Sequence, residues 1–528
     1  MKLLNRFRSL LSSLLIIMSI TGNTCFGQDG DVVTGIWPLA DQNIHNTGVN
    51  PYENILNVDN VSQLIKGWDT YEYGTDLAVS GAPSVSNDNV IYYGDSQGNV
   101  YALNAKTGAQ IWKTTIPNQY FLQSPALTTA YLYIGYDTMY CLDRFTGAVI
   151  WSTPANTGPF PYFGSPTVVE DLVIVGVGSL AESVAPPPYT SRGAIIAFNR
   201  FNGDIAWEYF NTSDQTSPHP QYGPGQGSYS TAGIDIDRHL AFIGTGQAYS
   251  GTAGPTSDSL LALDYYTGEL VWHYQFTAND VWNSTLTPPP GTYDHDVANH
   301  PNLFSLELPI FGNVDFVGVG DKGGHYKIFT RDQNPNNVCP IVELTLDPGS
   351  QLGALQGCAV VYDGVLYVSS EAYLNSEGQR LSLDYLLDPT DTFQQLLNLI
   401  EYGSVKTIAF DIKKLIEIGN THGAIPQEAV LWTNITPGNV QSNPLSFANG
   451  VLYQASWTGW VRALDAKTGN ELWRDTPVPV IDPVNLPLPA LIPTGVTVAD
   501  GMLYIGVGAD ELGSGLPIGG IFSYQLPD

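Results

Sequence analysis

A short pattern, Thr-Gly-x-x-x-Trp, returns along the whole chain and restricts its fold more than any other feature. Copies end at Trp112, Trp151, Trp272 and Trp473, and Asn202-Gly203 replaces Thr-Gly ahead of Trp207. Glycine in the second position suits a tight turn at positive φ, and the Val, Ile, Tyr and Leu runs on either side suit strands. Each copy therefore reads as a strand, a hairpin turn and a second strand carrying a large indole. Two weaker relatives lack the Thr-Gly pair: Trp68 follows Leu64-Ile65-Lys66-Gly67, and Trp432 follows Ala429-Val430-Leu431. A further hairpin around 338–346 fills the gap between Trp272 and Trp432 without a tryptophan, giving about eight units.

The spacing identifies the unit. The tryptophans lie 44 residues apart between 68 and 112, 39 between 112 and 151, and 41 between 432 and 473. Within the first full unit, residues 90–94, 99–103 and 110–112 form three strands between glycine-containing turns, and the next cycle opens at Ser124-Pro125-Ala126-Leu127. Four antiparallel strands repeated every 40 to 45 residues or so make a β-propeller blade. The fold class is all-β, an eight-bladed β-propeller of four-stranded antiparallel blades. An open ring would leave unpaired strand edges. The final strand, 520–526, has no Trp-bearing partner after it, and the segment ending at Trp68 has no inner strands before it. Pairing of the chain ends in one blade is the expected closure. One stretch departs from the β pattern: 391–402 places Phe393, Leu396, Leu397 and Ile400 at helical spacing between Asp391 and Gly403, which predicts a short helical insertion.

Composition limits the partners. Fifty acidic residues against 20 basic ones give a formal net charge of -30, which excludes nucleic acid as a ligand because phosphate binding needs basic surface. Lys2, Arg6 and Arg8 precede an apolar run at 10–20, which reads as a signal peptide over 1–27, leaving 28–528 as a single propeller domain. The reading is of an exported protein, periplasmic or extracellular. No later run is apolar for long enough to span a membrane. Cys339 and Cys358 bracket a Gly- and Pro-containing loop, so export allows a disulfide there, with buried free thiols as the equal alternative. No Cys-x-x-Cys-His occurs, so electrons from any redox reaction would leave through a separate acceptor.

Polar constellations concentrate in 164–327, where the indole spacings widen to 56 and 65 and the loops lengthen. They include Glu182, Arg192, Gln247, the run from Asp280 to Asn283, Asp294 and Asp296, and Asp321-Lys322. Each sits at a strand end or loop of a different unit, an arrangement that aims them at one mouth of the ring. Carboxylate and amide oxygens are the ligand set of a hard cation such as calcium.

At these residues the chain resembles the eight-bladed quinoprotein alcohol dehydrogenases. The repeated Ala-x-Asp/Asn-x-x-Thr-Gly-x-x-x-Trp marks carry that likeness. The stretches 37–47, 176–182, 244–246 with 257–259, 280–283 and 318–324 resemble the polyvinyl-alcohol dehydrogenase branch. The resemblance implies pyrroloquinoline quinone (PQQ) and Ca2+ (calcium) in the funnel at the ring axis, and alcohol oxidation by hydride transfer to the quinone. Carried over by position, it implies Glu182, Gln247 and Asn283 as metal ligands, and Arg192, Tyr229 and Lys322 as cofactor contacts. Gln247 stands where many members have asparagine, Tyr229 where tryptophan is usual, and Asn283 where an aspartate base is found. Asparagine cannot serve as a base near neutral pH, so that role falls to Asp280, Asp294 or Asp296. The adjacent cysteine pair common beside the quinone is missing ahead of Arg192. Two functions follow: an alcohol-oxidising enzyme, or a propeller that kept the ring without the cofactor and acts as a secreted binding or scaffold protein.

Overall fold

A computed structural model describes residues 35–527, apart from 71, 74–77, 122, 159–160, 180, 182–186, 214–219, 284–294, 348–353, 356, 374–402, 438–442, 457–458, 478–493 and 509–517. The predicted helix at 391–402 lies outside the described residues. Ile412–Ile418 forms an α-helix, capped by the Asp411 side chain on the Lys414 N–H and ended at Gly419.

Eight antiparallel sheets follow one another round the ring, each built on four strands. In chain order, blade 1 spans 84–115, blade 2 126–154, blade 3 161–210, blade 4 233–275, blade 5 302–345, blade 6 360–437 and blade 7 446–475. Blade 8 takes three strands from the C-terminal segment and its outermost strand, Ile65–Asp69, from the N-terminal segment. Ile65 and Lys66 pair with Gln525 and Tyr524, so the ends of the chain close the ring as the sequence predicts. The hairpin read around 338–346 is Val342–Thr345, the outer strand of blade 5.

The repeat acts between blades. Six of the seven repeat indoles donate their N–H to a carbonyl in the turn of the next blade, among them Trp68 to Ala105 at 2.8 Å, Trp112 to Arg144 at 3.0 Å, Trp151 to Arg200 at 2.9 Å, Trp207 to Tyr265 at 2.9 Å, and Trp432 to Ala466 at 2.9 Å. In blade 4, whose neighbour has no Thr-Gly turn, Trp272 reaches the Arg331 carbonyl at 3.2 Å. The turn glycine has two duties. Gly108 has φ of 70°, and a Cβ there would stand 2.7 Å from the ring of Trp68. Gly147, Gly203, Gly268 and Gly469 lie the same way under Trp112, Trp151, Trp207 and Trp432. One residue type thus sets the hairpin and makes the flat seat for the neighbour's indole.

The N-terminal segment 37–50 crosses the centre of the ring and joins innermost strands. Trp37 pairs with Val85 of blade 1, the Leu127 N–H of blade 2 donates to Pro38, Ile234 of blade 4 to Ile44, Leu303 of blade 5 to His45, and Phe447 of blade 7 to Gly48. Cys358 is buried and free, its thiol donating to the Asn46 carbonyl at 3.1 Å, while Cys339 is free and exposed. The proposed disulfide is therefore absent, because the two thiols occupy an interior and a surface position.

Candidate active site

The connections from second to third strands, and from one blade to the next, all emerge on one face of a propeller. Arg192, Tyr229, Gln247, Asp280, Asn283, Asp296 and Lys322 all lie in such connections, in blades 3 to 5. A ladder of backbone contacts joins them. Arg192 bridges to Gly225, Gly225 to Ala248, and Ala248 to Val281. The Gln226 N–H donates to the Gln247 carbonyl at 2.7 Å, and the Gly246 N–H to Gly227 at 2.7 Å. Short polar and glycine-rich sequences suit this, since their backbones approach one another without intervening side chains.

At the centre is an ion pair. Lys322 Nζ lies 2.7 Å from Asp296 Oδ2, with the side chains 16% and 3% exposed. The Lys322 N–H also donates to the Asp296 carbonyl at 2.9 Å, so backbone and side chain converge on the same residue. Asp296 Oδ1 accepts the Gln247 N–H at 2.9 Å. The Gln247 side-chain amide lies against that carboxylate, and a hydrogen bond between them requires the amide nitrogen to face it.

Asp280 stands beside this pair. Its Oδ2 is buried and has no hydrogen-bond partner among the described residues. Burial, and then the Asp296 charge, push its carboxyl up to about 7, against smaller opposing pulls from the backbone N–H groups of His295 and Val281 and from the Lys322 charge. An unpaired buried carboxylate oxygen of that basicity is the chemistry expected of a proton acceptor.

On the other side lies an aromatic group. The ring of Tyr229 packs directly on the backbones of Gly178 and Gly227. Its hydroxyl is 2.6 Å from that of Tyr249 and 3.0 Å from the Ser179 carbonyl, which Tyr249 also reaches at 2.8 Å. Asn283 is buried, and its amide N–H donates to the Tyr249 carbonyl at 2.7 Å, which leaves the oxygen as the acceptor end. The Arg192 guanidinium stacks 3.6 Å from the centre of the Phe210 ring and donates to the Thr212 carbonyl at 3.3 Å. Seven of the nine residues singled out from the sequence are thus tied into one network, while Glu182 and Asp294 lie outside the described residues. Tyr249 and Ser179 were missed. Tyr249 lies two residues beyond Gln247, the one hint available in the sequence.

Comparison with known proteins fits this picture. The family model described as outer membrane protein assembly factor BamB (PQQ_2) matches 58–133 and 96–287. The polyvinylalcohol dehydrogenase of Sphingopyxis sp. (strain 113P3) is 25% identical over 485 residues, which cover 85% of this chain and 69% of that protein. A second polyvinylalcohol dehydrogenase, from Pseudomonas sp., is matched over 66% of its length, so the chain spans about two thirds of these relatives. The quinohemoprotein alcohol dehydrogenase of Comamonas testosteroni is 26% identical over 331 residues, covering 53% of this chain and 45% of that protein. In fold, the chain superposes on the quinohemoprotein alcohol dehydrogenase ADHIIG of Pseudomonas putida HK5 with a TM-score of 0.67 at 19% identity, covering 93% of this chain and 80% of that one. The chain is thus similar in sequence to polyvinylalcohol and quinohemoprotein alcohol dehydrogenases and shares the propeller fold of the latter.

Proposed function

We propose that the protein is an exported oxidoreductase, dependent on pyrroloquinoline quinone and calcium, that oxidises a secondary alcohol or a hydroxylated polymer. The observation that carries this reading is the buried Lys322–Asp296 pair with an Asp280 oxygen beside it that has no partner among the described residues. When bound, the quinone supplies the two-electron acceptor for the carbinol carbon. The chain's own residues supply the rest. Lys322 and Arg192 hold and polarise the oxygens of an acidic cofactor, since a fixed cation stabilises negative charge that develops beside it. Tyr229 offers a flat face. The hydroxyl proton of the alcohol passes to a carboxylate oxygen of Asp280 or Asp296, with Asp294 the third candidate.

The donors fit the metal unevenly. Asn283 is oriented with its oxygen as the ligand end, and Glu182 supplies the carboxylate in the proposal. Gln247 satisfies Asp296 with its amide nitrogen and a metal with its oxygen, so its amide cannot do both in one orientation. Transfer of the electrons to a separate acceptor is part of the same proposal.

The match to a model described as an assembly factor favours a second reading, a cofactor-free scaffold. Purified protein given calcium, the quinone and secondary alcohols or polyvinyl alcohol should reduce an artificial acceptor dye, and Asp296→Asn should reduce the rate about 100-fold or more. No dye reduction by the wild-type protein with any alcohol would favour the scaffold.

A further inference from the structure

We propose that His325 is a positioning residue for the site: paired with Asp321, it keeps the Lys322 ammonium on Asp296. The proposal rests on the reading of the Lys322–Asp296 pair as the centre of the site.

Lys322 follows directly on a second buried carboxylate. Asp321 is 0% exposed, and its Oδ1 accepts the His325 N–H at 2.8 Å. The imidazole Nδ1 lies 3.1 Å from Oδ1 and 3.0 Å from Oδ2. The turn between them is closed by the Asp321 N–H on the His325 carbonyl at 3.0 Å and the Gly324 N–H on the Asp321 carbonyl at 3.1 Å. At Gly323 between them, a Cβ would stand 2.7 Å from His295 Nδ1, 3.0 Å from Asp321 Oδ2 and 3.1 Å from His325 Nδ1. The Lys322 backbone is held at both ends, by its N–H on Asp296 and by the Ala354 N–H on its carbonyl at 3.1 Å. What the backbone leaves open is where the ammonium's charge is drawn.

A buried carboxylate needs a cation or it competes for the nearest one. Protonated His325 neutralises Asp321, so that Lys322 is left to Asp296. Loss of the His325 proton leaves Asp321 as an uncompensated negative charge next to Lys322 and draws the ammonium from Asp296. The groups facing the imidazole favour the protonated form on balance. Asp321, through its hydrogen bond, is the largest influence and raises the pKa, burial lowers it, Lys327 lowers it further and Glu343 raises it. Lys327 is itself bonded to Glu343, and His295 approaches across Gly323. Since the folded pKa is raised above 6.5, the pairing is complete below the unfolded value and is lost as pH rises through the folded one.

The test measures quinone binding to calcium-supplied protein from pH 6 to 9 for the wild type, His325→Gln and His325→Arg, with melting temperatures to confirm folding. The wild type should lose about tenfold in affinity in a one-proton step above 6.5, the scale of one charge-assisted hydrogen bond. His325→Gln should start about tenfold weaker and show no step, and His325→Arg, a permanent cation, should bind tightly without one. A wild-type step and affinity retained in His325→Gln would overturn the proposal. If the wild type binds no quinone at any pH, the reading of the site fails, and positioning is then read from acetylation of Lys322 at pH 7 by mass spectrometry. Lys322 in His325→Gln should react several-fold faster than in the wild type, and equal rates would overturn it.

Discussion

Removing the two members of the central ion pair singly and together tests whether they form one unit. At 2.7 Å and an effective dielectric of about 20, the gross attraction between Lys322 and Asp296 is about 6 kcal/mol, most of it offset by taking both groups out of water. Lys322→Met takes the ammonium from an almost fully buried carboxylate that keeps the Gln247 N–H, and should cost about 3–5 kcal/mol. Asp296→Asn keeps an acceptor for that N–H and should cost about 2–3 kcal/mol. The double variant buries no charge at this position and should cost much less than the sum, giving a coupling of about 2–3 kcal/mol. Urea unfolding followed by tryptophan fluorescence reads all four proteins. The coupling should survive 0.5 M salt, since a buried pair is poorly screened. Additivity within about 0.5 kcal/mol would show that the two side chains do not depend on each other and would refute the reasoning.

Two further outcomes test the scaffold. Gly108→Ala should cost about 2–4 kcal/mol, because it meets both positive φ and the Trp68 ring, whereas Gly312→Ala, at φ of 69° with nothing within 4 Å, should cost only about 1–2 kcal/mol of backbone strain. Equal urea midpoints for the two would remove the seat for the indole from the account. A thiol reagent on native protein should label Cys339 at once and reach Cys141 and Cys358 only on unfolding, since burial pushes the Cys141 thiol up to about 12 and raises Cys358 well above its usual range. Labelling of Cys339 that requires prior reduction would contradict the free thiol.

The ring was legible because its determinants are local and repeated. Thr-Gly-x-x-x-Trp holds a turn, a strand and an interblade contact within a few residues, so period alone yields blade number and closure. The Gly double duty was not legible, since it depends on which neighbour's indole lies above each turn. The site divides in the same way. Arg192, Lys322 and Asp296 stand out as charged residues at strand ends or in the long loops between them. That Asp296 takes the lysine while Asp280 keeps an unpaired oxygen depends on contacts between connections of different blades, which sequence spacing does not encode. Nor does spacing distinguish the orientation of the Gln247 amide, or the role of Asp321 and His325, which reads locally as an ordinary turn. The helix at 412–418 was passed over although Asp411 and Gly419 mark its ends, because its seven residues are too few for a clear helical period.

The central claim is that this mouth of the ring holds an acidic quinone against Lys322. Calorimetric titration of pyrroloquinoline quinone into calcium-supplied protein tests it most directly. The account predicts one saturable site per chain, lost in Lys322→Met while the melting curve still reports a folded ring. Absence of binding to the wild-type protein, or the same affinity in Lys322→Met, would contradict it.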